Sequence, residues 1–266
     1  MKKVESYEQI QEFVQYIRKQ KKGFVTNFYW DSNKHPYWIA NGCLEYKQYE
    51  NCIFLVHKQD LFSTLFYIST DYNTICEKFH IIQFESPVII DLVCKGECKS
   101  ELTLFKSMGF EIYQSLYRMV HVGQMLTEDW NIDSRVQYCK ENAVKLVYDT
   151  LQNDFDPLAE QIPSLKEVSD FALRNQILII TDDDKLCGFV IFEIIGMSWY
   201  LRYWYTAHDY RNQGVGAALL KASLILGKET KRQILWVIED NKNAIQRYEH
   251  YGFSRENMND YVLIKK

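Results

Sequence analysis

The most restrictive feature of this chain is a strand that runs into a glycine turn and then into an apolar helix. The strand-like run Ser198-Trp-Tyr-Leu-Arg-Tyr-Trp-Tyr-Thr206 is followed by Ala207-His-Asp-Tyr210, then by Arg211-Asn-Gln-Gly214-Val-Gly216. The helix carries Ala217, Ala218, Leu219, Leu220, Ala222, Leu224, Ile225 and Leu226, and Gly227 stands where a helix-ending glycine belongs. Unpaired N–H groups of a first helical turn point outward, and the helix dipole favours an anion there. Glycine brings the backbone close to such an anion because no Cβ intervenes. The turn is neither a Walker loop nor a dinucleotide fingerprint. No Lys-Ser/Thr follows Gly216, and the third glycine of G-x-G-x-x-G would fall at Leu219. A Gly-x-Gly by itself is also compatible with a plain strand-to-helix turn.

The neighbouring sequence supplies a frame. A short strand is expected at Arg135–Lys140, and helices over Ala143–Gln152 and Leu165–Asn175, where apolar residues recur at spacings of three and four. Strands are expected at Ile177–Thr181 and Leu186–Ile194, joined by the polar turn Asp182-Asp183-Asp184-Lys185. Beyond the glycine helix, Gln233–Ile238 reads as a strand and Tyr261–Ile264 as the last one. Between them lies Asn241-x-x-Ala244-Ile245-x-x-Tyr248-x-x-x-Gly252-Phe253. Asn241 suits a helix N-cap, Ala244, Ile245 and Tyr248 share one face, and Gly252-Phe253 reads as the stop with its apolar residue packing back.

Arg-x-x-Gly-x-Gly after one strand, then Asn-x-x-Ala-Ile-x-x-Tyr-x-x-x-Gly-Phe after the next, resembles the GNAT-type N-acetyltransferases over about residues 135–266. The resemblance implies an α/β (α+β) fold with a mixed, mostly antiparallel sheet flanked by helices. It also implies acetyl-CoA as cosubstrate, bound in a splayed cleft of that sheet. Carried over by position, the backbone of Trp204, Tyr205 and Thr206 would pair with the pantetheine arm. Arg211, Asn212, Gln213, Gly214, Val215 and Gly216 would cradle the pyrophosphate. Asn241 matches the asparagine that touches the cofactor arm, with a helix cap as its plain structural role. Tyr248 matches the tyrosine that protonates the departing thiolate. The chemistry is sound, since a thiol titrates near about 8.5 and a phenol near about 10. A core aromatic on the helix face is the plain structural role of Tyr248.

An amine acceptor must lose a proton before it attacks, so a base is expected. Where some relatives carry a glutamate on the strand before the asparagine motif, this chain has Trp236. The strand before the glycine loop offers Arg202 and Tyr203, without a carboxylate. Glu193, Asp209, Glu239, Asp240 and His208 remain, or a water chain to solvent. Glu193 is taken as the base because its strand neighbours the cofactor strand.

The first half repeats the order of the second: three strands, then helix, strand, helix, strand. A helix is expected over Tyr7–Lys19 and strands at Cys43–Tyr49, Cys52–His57 and Ser63–Thr70. A helix over Asn73–Ile82, a strand at Val88–Val93, a helix over Ser100–Met108 and a strand at Glu111–Val120 complete the series. Leu104-Phe105-Lys-Ser-Met-Gly109-Phe110 echoes Arg247-Tyr248-Glu-His-Tyr-Gly252-Phe253. The offset is 143 residues from Phe105 to Tyr248 but 136 from Thr70 to Thr206, and the seven-residue difference falls at the glycine loop. The first half has Asp71-Tyr-Asn-Thr74 there instead, and Phe105 has no hydroxyl. The expectation is a tandem of a degenerate GNAT-like domain, residues 1–130, without the CoA motif, and an acetyltransferase domain, residues 135–266.

Composition narrows the classes. Lys+Arg 31 against Asp+Glu 35 gives a net charge of −4, against a general nucleic-acid binder. No apolar run approaches the ~20 residues of a membrane span, and Met1-Lys-Lys-Val-Glu-Ser-Tyr-Glu8 lacks the apolar stretch of a signal peptide. A cytoplasmic protein without membrane partners is expected. Its seven cysteines would be reduced thiols, and Cys94-x3-Cys98 lacks the second ligand pair a zinc site needs, so no metal is expected. The partners are acetyl-CoA and an amine-bearing acceptor, with a homodimer left open. Two rival readings are a non-catalytic CoA-binding sensor and an aminoacyl-tRNA-dependent transferase. The intact CoA motif and the acidic balance count against the second.

Overall fold

The computed structural model describes residues 1–125, 130–183 and 185–266. The turn expected at Asp182–Lys185 therefore lies partly outside the described residues, at Asp184. The chain forms two compact units, Met1–Leu116 with Met258–Lys266, and Tyr117–Asn257. The chain passes from one unit to the other within two of its strands.

The first unit contains β1 (Lys2–Lys3), α1 (Tyr7–Lys19), β2 (Val25–Thr26), α2 (His35–Ala40), β3 (Leu44–Gln48), β4 (Cys52–Lys58) and β5 (Ser63–Ser69). It continues with α3 (Tyr72–Phe79), β6 (Val88–Lys95), α4 (Lys99–Ser107) and the start of β7 (Glu111–Val122). Helix α1 forms where expected. Ser6 caps it by accepting from the Gln9 amide, and Ile10, Phe13 and Ile17 are buried on one face. That face packs with Ile53, Leu55 and Ile68 of the sheet. The opposite sheet face holds Phe54, Tyr67 and Ile90 against Phe79, Phe105 and Phe110. Each fully buried side chain of this kind contributes about 1.5–3 kcal/mol over leaving it in water.

The second unit follows with β8 (Gln137–Tyr138), α5 (Glu141–Asp154), α6 (Leu165–Leu173), β9 (Ile177–Asp182), β10 (Lys185–Ile195) and β11 (Ser198–Thr206). Then come α7 (Val215–Leu226), β12 (Arg232–Ile238), α8 (Lys242–His250) and β13 (Ser254–Lys265). Its sheet runs β12-β11-β10-β9-β8. Helices α5 and α6 cover one face, with Val147, Leu151 and Val168 clustered with Phe189 and Ile191 of β10. Helix α7 and Tyr248 of α8 cover the other, with Trp199, Leu219, Leu220 and Phe253.

The element order is the mixed, mostly antiparallel α/β sheet that was expected. The last strand is longer than Tyr261–Ile264. Its Met258–Lys265 portion pairs antiparallel with Lys95–Val88 of β6, so the end of the chain completes the sheet of the first unit. Each unit contains a short parallel pair. In the second it is β11–β12, matched only at Ser198–Arg232, Trp199–Gln233 and Tyr200–Ile234. In the first it is β5–β6, matched only at Ser63–Val88 and Thr64–Ile89. Past these short ladders the two strands part.

The thiols need one correction. Cys94 and Cys98 form a disulfide, whereas all seven cysteines were expected to be reduced. Gly96 at φ +80° and Cys98 at φ +44° turn the chain back between β6 and α4, which brings the two Cα atoms to 6.4 Å. Cys43, Cys52, Cys76, Cys139 and Cys187 are free. Among the described residues, no helix is long and apolar enough to cross a membrane.

Candidate active site

The divergence of β11 from β12 opens a cleft in the second unit. Beyond Tyr200, among the described residues, β11 is paired on one side only, Tyr203–Thr206 with Ile191–Gly188 of β10. Its other edge faces the opening. Backbone groups on such an edge are strong hydrogen-bonding groups that need partners.

A cavity of about 680 Å³ lies at this edge, bounded by Trp204 and Thr206 of β11, the glycine turn and one face of α8. Gly214 occupies the N-cap of α7 in a left-handed conformation, φ +77°, and no side chain caps the helix. The amides of its first turn therefore open onto the cavity through Val215, Gly216 and Ala217. Asn212 also takes the left-handed region, at φ +63°, which asparagine tolerates better than most residues. Gly216 is required by closeness. A Cβ there would lie 2.8 Å from Thr206 Oγ1 and 3.2 Å from the Trp204 ring. Trp204 Nε1 donates to the Gly216 carbonyl at 3.0 Å, fastening the strand to the helix start.

The expected residues divide by position. Trp204, Thr206, Arg211, Asn212, Gly214, Val215 and Gly216 line the cavity. Gln213 turns its side chain to the Asp209 carbonyl at 2.8 Å. The Tyr205 ring stacks on Phe189 on the other face of the sheet, so only its backbone faces the cleft edge. Asn241 caps α8 by accepting from the Ala244 amide at 3.1 Å. Tyr248 is 7% exposed, and its ring centroid lies 5.5 Å from that of Trp204.

Four further liners come from α8: Asn243, Gln246, Arg247 and His250. They recur at i, i+3, i+4 and i+7, a single polar face in the motif helix, and that periodicity was the signal available in the sequence. Arg247 sits 6.0 Å over the Trp204 ring, so Arg211 and Arg247 bring two guanidinium groups to the same cavity. With the bare helix start, they make a site suited to a multiply charged phosphate ligand.

On the α5–α6 face, Glu193 is 3% exposed, and its carboxylate accepts a hydrogen bond from Arg202 Nε. It does not line the cavity. Glu160, in the loop between α5 and α6, is a second carboxylate on this face. The Tyr203 hydroxyl donates to the carbonyls of Glu160 at 2.8 Å and Gln161 at 2.9 Å, which fixes the loop over β11. Burial pushes the Glu160 carboxyl above its usual range, against the Asp156 amide that donates to it at 2.9 Å. Burial and then the nearby Glu160 charge raise the Tyr248 phenol well above the ordinary tyrosine range, so it stays protonated.

The second unit thus sets an uncapped helix start beside a split parallel strand pair. Residues 144–253 match the model of the Acetyltransferase (GNAT) family. The whole chain is similar in fold to an acetyltransferase from the GNAT family of Colwellia psychrerythraea. That match has 13% identity and a TM-score of 0.57, and covers 100% of this chain and 99% of the other. A GCN5-related N-acetyltransferase from Sphaerobacter thermophilus matches at 11% identity and a TM-score of 0.54, over 81% of this chain and 80% of the other. A tandem GNAT protein from the clavulanic acid biosynthesis pathway matches at 9% identity and a TM-score of 0.54, over 80% and 78%. No curated protein matches the chain significantly.

Proposed function

We propose that the chain is an N-acetyltransferase that moves an acetyl group from acetyl-CoA to a primary amine by direct attack. The observation that carries this reading is the cavity at the cleft, where uncapped amides of α7, Arg211 and Arg247 converge beside the free edge of β11. The pyrophosphate would rest on Gly214–Ala217 and the pantetheine arm along Trp204–Thr206. That places the thioester toward Tyr248, with the acceptor entering from the face of Glu160.

In this reading the ammonium form of the acceptor gives one proton to the Glu160 carboxylate, and the free amine attacks the thioester carbonyl carbon. The C–N bond forms, the C–S bond breaks, and the thiolate takes the Tyr248 hydroxyl proton. The second proton released from nitrogen balances the one that Tyr248 gives up, and Glu160 passes its proton to water. Proximity supplies much of the rate, since both reactants are held in one cleft. Glu193 is the other carboxylate on this face. Its bond to Arg202 commits it to holding that guanidinium, which favours Glu160 as the base.

Thermal unfolding in the presence of acetyl-CoA tests the proposal. A ligand that binds only the folded state raises apparent stability, by about 2.7 kcal/mol at a hundred times its Kd. An upward shift that Gly214→Val abolishes is the expected result, followed by release of free thiol with members of an amine panel. No shift at saturating acetyl-CoA would overturn it.

A further inference from the structure

The first unit has the same split in its sheet, but there the opening is filled by the chain itself. Strand β2 lies against the edge of β5 that β6 leaves, pairing Val25 with Ser69 and Thr26 with Ile68. By the 136-residue offset, Ile68 and Ser69 correspond to Trp204 and Tyr205, the edge of β11 that faces the cavity. Asn27 then spans the gap. Its Oδ1 accepts the Tyr67 amide at 2.7 Å, and its Nδ2 donates to the carbonyls of Leu65 at 3.2 Å and Asp91 at 3.3 Å, one on each diverging strand. Thr26 Oγ1 donates to the Tyr67 carbonyl at 2.6 Å. Gly23 passes so near that a Cβ there would lie 2.6 Å from the Thr70 carbonyl oxygen.

The helix start is filled as well. Where α7 begins with an uncapped Gly214, α3 begins with Asp71, whose carboxylate accepts from the Thr74 amide at 2.8 Å. The hydroxyls of Thr70 and Thr74 donate to its second oxygen at 2.8 and 2.9 Å. Burial works against this charge, but these donors outweigh it and hold the carboxyl below its usual range. A fixed side-chain anion thus stands at the position where α7 offers bare amides.

We propose that residues 23–27 and the Asp71 carboxylate are a built-in occupant of the first unit's cleft, a peptide strand where a pantetheine arm would lie and a carboxylate where a phosphate would lie. The first unit is therefore closed to CoA, and each chain takes up one acyl-CoA, in the second unit. The count of one rests on the proposed function, whereas the filling of the first cleft does not.

Hydrogen exchange read by mass spectrometry, with calorimetry for stoichiometry, tests this on the full chain. Acetyl-CoA is expected to bind once per chain and to slow exchange over residues 204–217, leaving residues 65–75 unchanged. Asn27→Ala removes all three side-chain bonds of Asn27 and should speed exchange over residues 65–70 by at least about tenfold. Thr26→Val keeps the side chain's shape and removes the bond to the Tyr67 carbonyl and the one accepted from the Phe28 amide; it should act in the same direction and serves if Asn27→Ala does not fold. Two acetyl-CoA molecules per chain, protection of residues 65–75 by acetyl-CoA, or unchanged exchange in both variants would each overturn the proposal. If acetyl-CoA does not bind at all, the proposed function fails while the two variants still decide whether the first cleft is self-filled.

Discussion

The Tyr203 hydroxyl holds the Glu160 carbonyl at 2.8 Å, tying the loop between α5 and α6 to the strand that borders the cleft. This bond fixes a partly buried carboxyl on the face of the sheet from which an acceptor would approach. Replacing Glu160 by Gln keeps the shape and removes the base. General-base catalysis contributes about 10²–10⁴-fold, so kcat should fall by that order while the affinity for acetyl-CoA stays the same. The wild-type rate should fall on acidification, because Glu160 accepts a proton only when ionised. That limb should lie above the ordinary carboxylate range, since burial raises the group. Tyr203→Phe loses the one proton shared between the Glu160 and Gln161 carbonyls, worth about 1 kcal/mol, and should cost kcat only several-fold. Profiles of kcat against pH for the three proteins check this, and an unchanged acidic limb in Glu160→Gln would remove Glu160 from the mechanism.

Tyr248 should separate binding from turnover. Tyr248→Phe keeps the ring that meets Trp204 and Phe253 and loses only the hydroxyl. We expect acetyl-CoA affinity within twofold of the wild type and kcat lower by about 10²-fold. Because the phenol is raised, the wild type should show no alkaline loss from this group until pH passes well above about 10. Titration calorimetry with steady-state assays separates the two effects. Full activity in Tyr248→Phe would leave the tyrosine a packing residue.

The glycine turn should fail in two distinct ways. Gly214→Ala places a Cβ on a residue at φ +77°, a strain of about 1–2 kcal/mol felt in the free protein as a lower Tm. Gly216→Ala leaves the backbone unstrained but drives a methyl group toward Thr206 Oγ1 and the Trp204 ring. Its main expected effect is a loss of at least tenfold in acetyl-CoA affinity, as the strand edge and helix start are pushed apart. Comparing Tm without ligand and Kd by calorimetry distinguishes strain from obstruction.

How much of this was legible in the sequence depended on where each element gets its stability. Helix α1 could be read because Ile10, Phe13 and Ile17 mark its face and Ser6 caps it. The cavity rim on α7 could be read because it is built from the backbone of a helix start, which a glycine turn announces. Strand β2 and helix α2 were missed. Two residues and six residues are too short for periodicity, and Val25–Asn27 are held by bonds to residues about 40 positions away. The place of Glu160, the proposed base, was not legible for the same reason, since this loop is tied to Tyr203 by a contact across 43 residues. The Cys94–Cys98 bond depends on two left-handed residues that composition does not reveal.

The last strand offers a test at the other end of the second unit's sheet. Glu256 pairs with both Arg118 and Arg232, and all three side chains are partly buried. The Arg118 hydrogen bond is the main reason its carboxyl is held below the usual range, with burial opposing and the charges of Arg118 and Arg232 adding to the effect. A carboxyl depressed in the folded state stabilises above its unfolded pKa, and that contribution is lost as pH falls through the folded value. Glu256→Gln should therefore lower Tm near pH 7, where it leaves two guanidinium groups facing each other. The gap to the wild type should narrow as pH drops through and below about 4, because the wild-type carboxyl is then also neutral. Thermal melts of both proteins from pH 7 to pH 3 read this directly. A gap that stays constant across that range would mean that Glu256 acts through shape and hydrogen bonding rather than through its charge.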